Sequence, residues 1–217
     1  MQDGQDRQEA GQPLRSVAMG GTRLTGFEQV LIGLIFMRPA SGYDLKRHFA
    51  TTPASVYQPS SGALYPALRR LERAGLLRVA APSASDSAPA STGKASRQRF
   101  VYHVTEQGAA VHGAWIREPV NPSTVSQDLG LHLMRFVMME RQLPREDVLA
   151  FLTSLRAALA DFIAGIRRYL ASLDQAMPGD MHGHLALEHG VAVHQASLDW
   201  TVRAIAALSQ APGPASV

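Results

Sequence analysis

The sequence predicts a mainly helical fold carrying one small β element, built in two parts of different character. Three observations predict it. Apolar residues recur at three- and four-residue spacings in the first third of the chain and again across its second half. Two short stretches rich in β-branched and aromatic residues, Leu76–Val79 and Arg99–Val104, flank a low-complexity segment. Charge divides along the same line. Residues 24–117 carry eleven basic against five acidic side chains, a balance of +6, whereas 118–217 carry seven against ten, a balance of −3. The first part is therefore suited to a polyanion and the second is not.

Taken in order, residues 1–23 are rich in Gln, Gly, Asp and Arg and lack an apolar pattern, so a disordered arm is expected. From Thr25, the run Phe27, Val30, Leu31, Leu34 and Ile35 predicts a buried helix that ends before Pro39. Ser41 caps a second helix to about Phe49, with Tyr43, Leu45 and Phe49 turned inward. Lys46 and Arg47 are left outside, within reach of backbone phosphate.

The most informative stretch is Ser60 to Leu77. Ser60, Ser61 and Gly62 are small entry residues of the kind that cap a first turn. Pro66 is tolerated near that turn, where its missing N–H costs little. Leu64, Leu68 and Leu71 form one apolar stripe, and Gly75 sits where a left-handed terminator is wanted. Tyr65, Arg69, Arg70 and Arg73 fall off the stripe. A helix over 61–74 that shows an aromatic hydroxyl and several arginines, with free amides at its amino end, can bind phosphates and the guanine edge. A solvated surface helix is the alternative for these residues taken alone.

The two short strands that follow pair as a hairpin, with residues 80–96 as a flexible tip. Lys94, Arg97 and Arg99 cluster at its exit, where they can reach phosphates or the minor groove. Thr105 caps a helix through Ala109, Val111 and Trp115, before Pro119 and Pro122 break it and mark a boundary at residue 118. Helices are then expected from Ser123 or Thr124 to Met138, from Arg145 to about Ala176, and from Leu185 to about Leu208. The last carries Leu187, Val191, His194, Leu198, Val202 and Ile205 on one face. Gly179–Gly183 makes the last turn, and 211–217 is a disordered tail. Stripes of this length cannot all be covered by a small first domain. Burial against a second copy, as a symmetric homodimer, is the economical solution.

Three segments in series resemble one family: Ser41-Gly-Tyr-Asp-Leu-Lys-Arg47, Ser61-Gly-Ala-Leu-Tyr-Pro-Ala-Leu-Arg-Arg-Leu-Glu-Arg-Ala-Gly-Leu-Leu77, and Tyr102-His-Val-Thr-Glu-Gln-Gly108. Together they are similar to the PadR family of transcriptional regulators, over about Leu24 to Gly108. Leu143-Pro-Arg-Glu-Asp147 extends the likeness more loosely into the helical tail. The resemblance implies a winged helix-turn-helix domain over 24–118, followed by a helical dimerisation and effector domain over 119–210. It also implies a repressor that binds double-stranded DNA. By the same analogy a small aromatic effector would lie near the dimer interface, among Trp115, Met134, Met138, Phe162, Leu198 and Trp200. The insertion at residues 80–96 makes the wing longer than is usual in the family.

Composition excludes other classes. There is no cysteine, hence no disulfide and no thiolate metal site. His182, His184, His189 and His194 lack the spacing of ligands on one helix face, so no metal is expected. No cofactor motif, Gly-x-Ser-x-Gly elbow or phosphate-cradling Gly-rich loop is present, and an enzyme is not predicted. No apolar run is read as a membrane span and the N-terminus lacks a secretory h-region, so a cytoplasmic protein is expected. The runner-up to a DNA-binding regulator is a protein-interaction module with the winged domain as scaffold. Salt sensitivity separates the two.

Overall fold

A computed structural model describes residues 24–51, 62–80, 100–176 and 181–210. Its elements are α1 (Gly26–Met37), β1 (Ala40–Ser41), α2 (Gly42–Thr51), α3 (Leu64–Arg73), β2 (Leu77–Ala80), β3 (Val101–Val104), α4 (Glu106–Arg117), α5 (Leu129–Met139), α6 (Arg145–Ala176) and α7 (Met181–Gln210). The strands form an antiparallel sheet in the order β1-β3-β2. The helix-helix-strand-strand order with a small sheet beside α3 is that of a winged helix-turn-helix. The expected arm, the residues Ser60 and Ser61, the hairpin tip with Lys94, Arg97 and Arg99, and the C-terminal tail lie outside the described residues.

Local chemistry sets the starts of the helices. Thr25 opens α1 with a reciprocal capping box, its hydroxyl accepting from Glu28 N at 3.2 Å while Glu28 Oε2 accepts from Thr25 N at 2.8 Å. Ser41 and Asp44 repeat the device at α2, with bonds of 3.2 and 3.1 Å. Thr105 caps α4 through Gly108 N at 3.0 Å, and its hydroxyl donates to the Gly75 carbonyl at 2.7 Å. One threonine thus ties the wing strand and α4 to the end of α3. Gly75 itself has φ +71°, the left-handed stop expected there.

Several expectations need correcting. The helix foreseen from residue 61 begins at Leu64, and its N-cap, Ala63, makes no side-chain bond. Tyr43, expected inside, is 54% exposed. The two-residue strand β1 is too short to leave a period-2 signal. After Pro122–Thr124 forms a 3-10 turn, α5 begins only at Leu129, because Asp128 accepts from Leu131 N at 3.1 Å and supplies the cap. Gly183, expected in the last turn, lies inside α7. Val202, placed on the packed face of that helix, is exposed.

The core runs without a break from α1 to α6, across the boundary expected at residue 118. Helix α5 packs on α1 and α4. Gly33 of α1 has the side chains of Met138 and His112 against it, leaving no room for a Cβ. Helices α6 and α7 pair along their length. By length and composition α6 could cross a membrane over Arg145–Leu173, contrary to the expectation that no run approaches such a span. It nevertheless carries Arg156 and Asp161 within its apolar stretch, and it buries Leu152, Leu155 and Leu159 fully in the core.

Two glycines of α4 should respond oppositely to alanine. A Cβ at Gly108 would run into the Leu76 carbonyl, whereas one at Gly113 meets only the mobile end of Arg117 at 3.3 Å. Gly108→Ala should lower the thermal midpoint substantially. Gly113→Ala should raise stability by about 0.5–1 kcal/mol, the gain of alanine over glycine inside a helix. Thermal melts followed by circular dichroism check both.

Candidate nucleic-acid interface

Helix α3 is two-faced. Leu64, Ala67, Leu68 and Leu71 are buried, at 0–2% exposure. With 3.6 residues per turn, the ridge opposite that stripe is Pro66, Arg69 and Arg73, all exposed. Arg73 Nε reaches back to the Arg69 carbonyl at 3.3 Å, near the C-terminal end of the helix where cations are favoured. Gly62, just before the helix, is exposed with open space around it.

The other two outward residues lie on opposite flanks and already have contacts. The Tyr65 ring covers Gly42 of α2, where an added Cβ would lie 2.6 Å from it. Glycine at 42 is thus what lets α2 and α3 approach. Arg70 turns toward α1, and its Nε donates to Glu28 Oε1 at 2.8 Å. The side chains are unequal, Arg70 being 52% exposed and Glu28 5%. The buried carboxylate thereby holds both the cap of α1 and the flank of α3. Lys46 of α2 is exposed, as expected.

Sequence reasoning passed over three residues here. Arg78 of β2 is exposed and pairs in register with His103. Tyr102 of β3 faces the same flank of α3 as Tyr65. Its hydroxyl pKa is raised, first by burial and then by Glu72 and Tyr65, while Arg69 opposes the shift. Glu28 was hidden because an acid in the first turn of a helix normally signals only a cap.

Within one chain the expected effector residues fall in four separate places. Met138 is fully buried against α1 and belongs to the core. Trp200 meets Phe136 edge-on at 5.4 Å, with Met134 and Leu198 partly buried nearby on the core. Phe162 lies in the α6–α7 pair, its ring 4.7 Å from His194. Trp115, 5% exposed, lines a cleft of about 450 Å³ between the start of α1, the end of α4 and α5.

That cleft is unusual in its polar wall. Arg135 is 4% exposed, with its Nη2 donating to the main-chain carbonyls of Glu118 and of Ile116, the latter at 3.4 Å. Its guanidinium lies 4.8 Å from the Phe151 ring centroid and 5.8 Å from that of Trp115. Burial lowers its pKa to about 10, with Glu118 opposing. His132 shares a 2.9 Å bond with the Thr124 hydroxyl, and burial, then the Arg135 charge, brings its pKa down to about 4. Arg135 Nε, His132 Nδ1 and Gln29 Oε1 are buried without a hydrogen-bond partner. Each such atom costs about 1–3 kcal/mol. Among the described residues no group of three or more His, Asp or Glu could hold a metal.

A two-faced helix set against a second helix and a small antiparallel sheet, on the basic part of the chain, defines a winged helix DNA-binding protein. Residues 31–114 match the profile of the transcriptional regulator PadR-like family, and residues 133–209 match that described as virulence activator alpha C-term. The chain belongs to the PadR-like family of transcriptional regulators. No curated protein matches the sequence. Among solved structures it is similar to Bacillus subtilis PadR in complex with operator DNA, at 16% identity and a TM-score of 0.38, covering 85% of this chain and 99% of that one. It is also similar to B. subtilis PadR in complex with p-coumaric acid, at 16% identity and a TM-score of 0.36, covering 86% and 100%. A PadR-like regulator from Bacillus cereus is similar at 19% identity and a TM-score of 0.34, covering 84% and 98%.

The buried histidines set an acid limit. Burial also holds His112, which is 0% exposed, down to about 4. Because both folded values lie below the ordinary 6.5, the unfolded chain binds more protons between those limits. Stability contributed by the neutral rings is therefore present above pH 6.5 and is lost as pH falls toward 4. Chemical denaturation at pH 7 and pH 5 should show the loss. His112→Leu should reduce it by an amount on the order of 2 kcal/mol.

Proposed function

We propose that this regulator is a homodimeric, ligand-responsive repressor that inserts α3 into the major groove of each half of a pseudo-palindromic operator. The observation that carries the reading is the division of α3. Its leucine stripe is wholly buried, which leaves Arg69 and Arg73 on the ridge that a groove would receive. Arg69 and Tyr65 then meet base edges or phosphates, while Lys46, the Gly62 amide, Ser60 and Ser61 contact the backbone. Pro66 keeps the ridge narrow near the start of the helix. Lys94, Arg97 and Arg99 extend the contact from the wing, and Arg70 both reaches toward DNA and fixes the helix through Glu28. Residues 24–118 act as the reader and 119–210 as the dimerisation and effector part.

A second copy is supported by the surface of the arm. In α7 Thr201 alone among the described residues is fully buried. Met181, Leu185, Val193 and Val202 are 43–68% exposed, and Tyr169 of α6 is 58% exposed. Exposed apolar side chains spread along one arm are what self-association would cover in part. A dimer presents two copies of α3, and half-sites about 34 Å apart, or a multiple of that, match them. The small effector is placed in the cleft beside Trp115.

Electrophoretic mobility shifts on selected operator fragments test the reading. Arg69→Ala should weaken operator binding by about 1–3 kcal/mol with an unchanged melting temperature. Arg70→Ala should weaken binding and also lower the melting temperature, because it strands the buried Glu28 carboxylate. Affinity should fall steeply with salt, and affinity insensitive to salt would instead favour a protein partner. Sedimentation gives the independent check. The wild-type chain should run as a dimer, and Leu185→Glu with Val202→Glu should yield monomers that bind the operator poorly. A monomeric wild-type chain would contradict the dimer.

A further inference from the structure

We propose that Tyr102 of β3 is a positioning residue for the reading helix: its hydroxyl takes the Glu72 carboxylate and so leaves the Arg69 guanidinium on the ridge of α3 for DNA. The proposal rests on the reading above in which Arg69 meets DNA, and it names what keeps that arginine available.

The register of the sheet places the side chain. Tyr102 stands opposite Val79 of β2 and Ala40 of β1, so β3 is paired on both sides and its backbone is held. Val104, two positions on, stands opposite Leu77, which is buried. Residues two apart on a strand share a face, as do residues directly opposite one another. Tyr102 therefore belongs to the face that Leu77 buries, and it packs partly buried against the core. The Thr105 hydroxyl donates to the Gly75 and Leu76 carbonyls at 2.7 and 3.1 Å, which sets this strand against the end of α3. The α3 side chains that act on the phenol are Tyr65, Arg69 and Glu72, spaced four and three apart along one flank.

That flank carries a conflict. Glu72 is exposed and stands one turn beyond Arg69, where an acid and a base on the same helix attract. A carboxylate drawn onto the guanidinium would cancel the charge that a phosphate or a guanine edge requires. It would also keep the arginine along the flank instead of on the ridge. A tyrosine hydroxyl resolves the conflict, because it can donate a hydrogen bond whereas a carboxylate only accepts. Burial raises the Tyr102 pKa and Glu72 adds to the rise, so the proton stays on the oxygen at neutral pH. A bond from a hydroxyl to a charged acceptor is of the stronger kind. Glu72 is then satisfied by the wing strand, while Arg70 is occupied by Glu28 of α1. The strand thereby governs the charge that α3 presents, without itself touching a base.

The test uses the full-length protein and fluorescence anisotropy on a selected operator duplex. Tyr102→Phe keeps the ring and its packing, so it should leave the melting temperature close to that of the wild type. Its operator affinity should fall about fivefold or more. Two double-mutant cycles separate positioning from a structural role and from direct contact. In a Glu72→Gln background, where the carboxylate charge is gone, Tyr102→Phe should cost less than about twofold. In an Arg69→Ala background it should also cost less than about twofold. An undiminished loss in the first background would make the effect structural, and one in the second would make Tyr102 a DNA contact in its own right. Either result overturns the proposal, as does wild-type affinity in the single Tyr102→Phe variant. An Arg69→Ala chain that binds the operator as tightly as the wild type would instead overturn the reading on which the proposal rests.

Discussion

The position of α3 depends on one buried carboxylate. Glu28 accepts from the backbone and hydroxyl of Thr25 at 2.8 and 2.9 Å and from Arg70 at 2.8 Å. A charge this deep is tolerable only while its acceptor positions are filled, and here the partners come from two different elements. The consequence is geometric. α1 supplies Val30, Leu31 and Ile35 to the core, so its axis is fixed by packing, and Glu28 fixes one flank of α3 to that axis. Gly42 under Tyr65 and Thr105 at Gly75 hold α3 on the α2 side and at its carboxyl end. Three independent contacts of different chemistry leave α3 little freedom except at its amino end, where Ala63 offers no side-chain cap.

Much of this was legible in the chain because it is local. Thr25, Ser41 and Gly75 act within a few residues of themselves, as Thr105 does in capping α4, and the leucine spacings of α3 and α6 state which face is inside. The limits of α6, Arg145 to Ala176, fell where the apolar period began and ended. What was not legible is long-range. Arg69 and Arg70 are neighbours of one type, and only the approach of α1, forty-two positions earlier, makes one a ridge residue and the other a strut. Tyr43 belongs to an apolar pattern but is left outside, since α2 is covered along Gly42, Leu45 and Phe49. Met138 looked like the lining of a distant cavity, yet the small residue opposite it is Gly33, a pairing no periodicity announces.

The resemblance and the residues supplied different things. Family likeness named the winged architecture and the helical arm, and the profile matches over 31–114 and 133–209 agree with both. Neither distinguishes the roles of individual side chains. The grouping of Trp115 with Phe162 and Trp200 followed from the family analogy, and within one chain the three stand apart, Trp115 at the cleft beside α1 and Phe162 and Trp200 in contacts of the helical arm.

The uninterrupted core has a consequence for control. If the reader and the arm were separate bodies on a hinge, a ligand could act only by changing the distance between them. Here α5 lies in the reader's own core, and Arg135, midway along it, bonds the main chain where α4 ends. A displacement of the arm therefore cannot leave α1 and α4 untouched, since close-packed interiors shift between discrete arrangements rather than deforming smoothly. The segment from Glu118 to Asp128, often the place for a loose linker, is instead pinned by Val120 and Val125 in the core and by the Thr124–His132 bond. A joint built this way is poorly suited to passive spacing, because a shift of α5 reaches the packing of α1 and α4 directly.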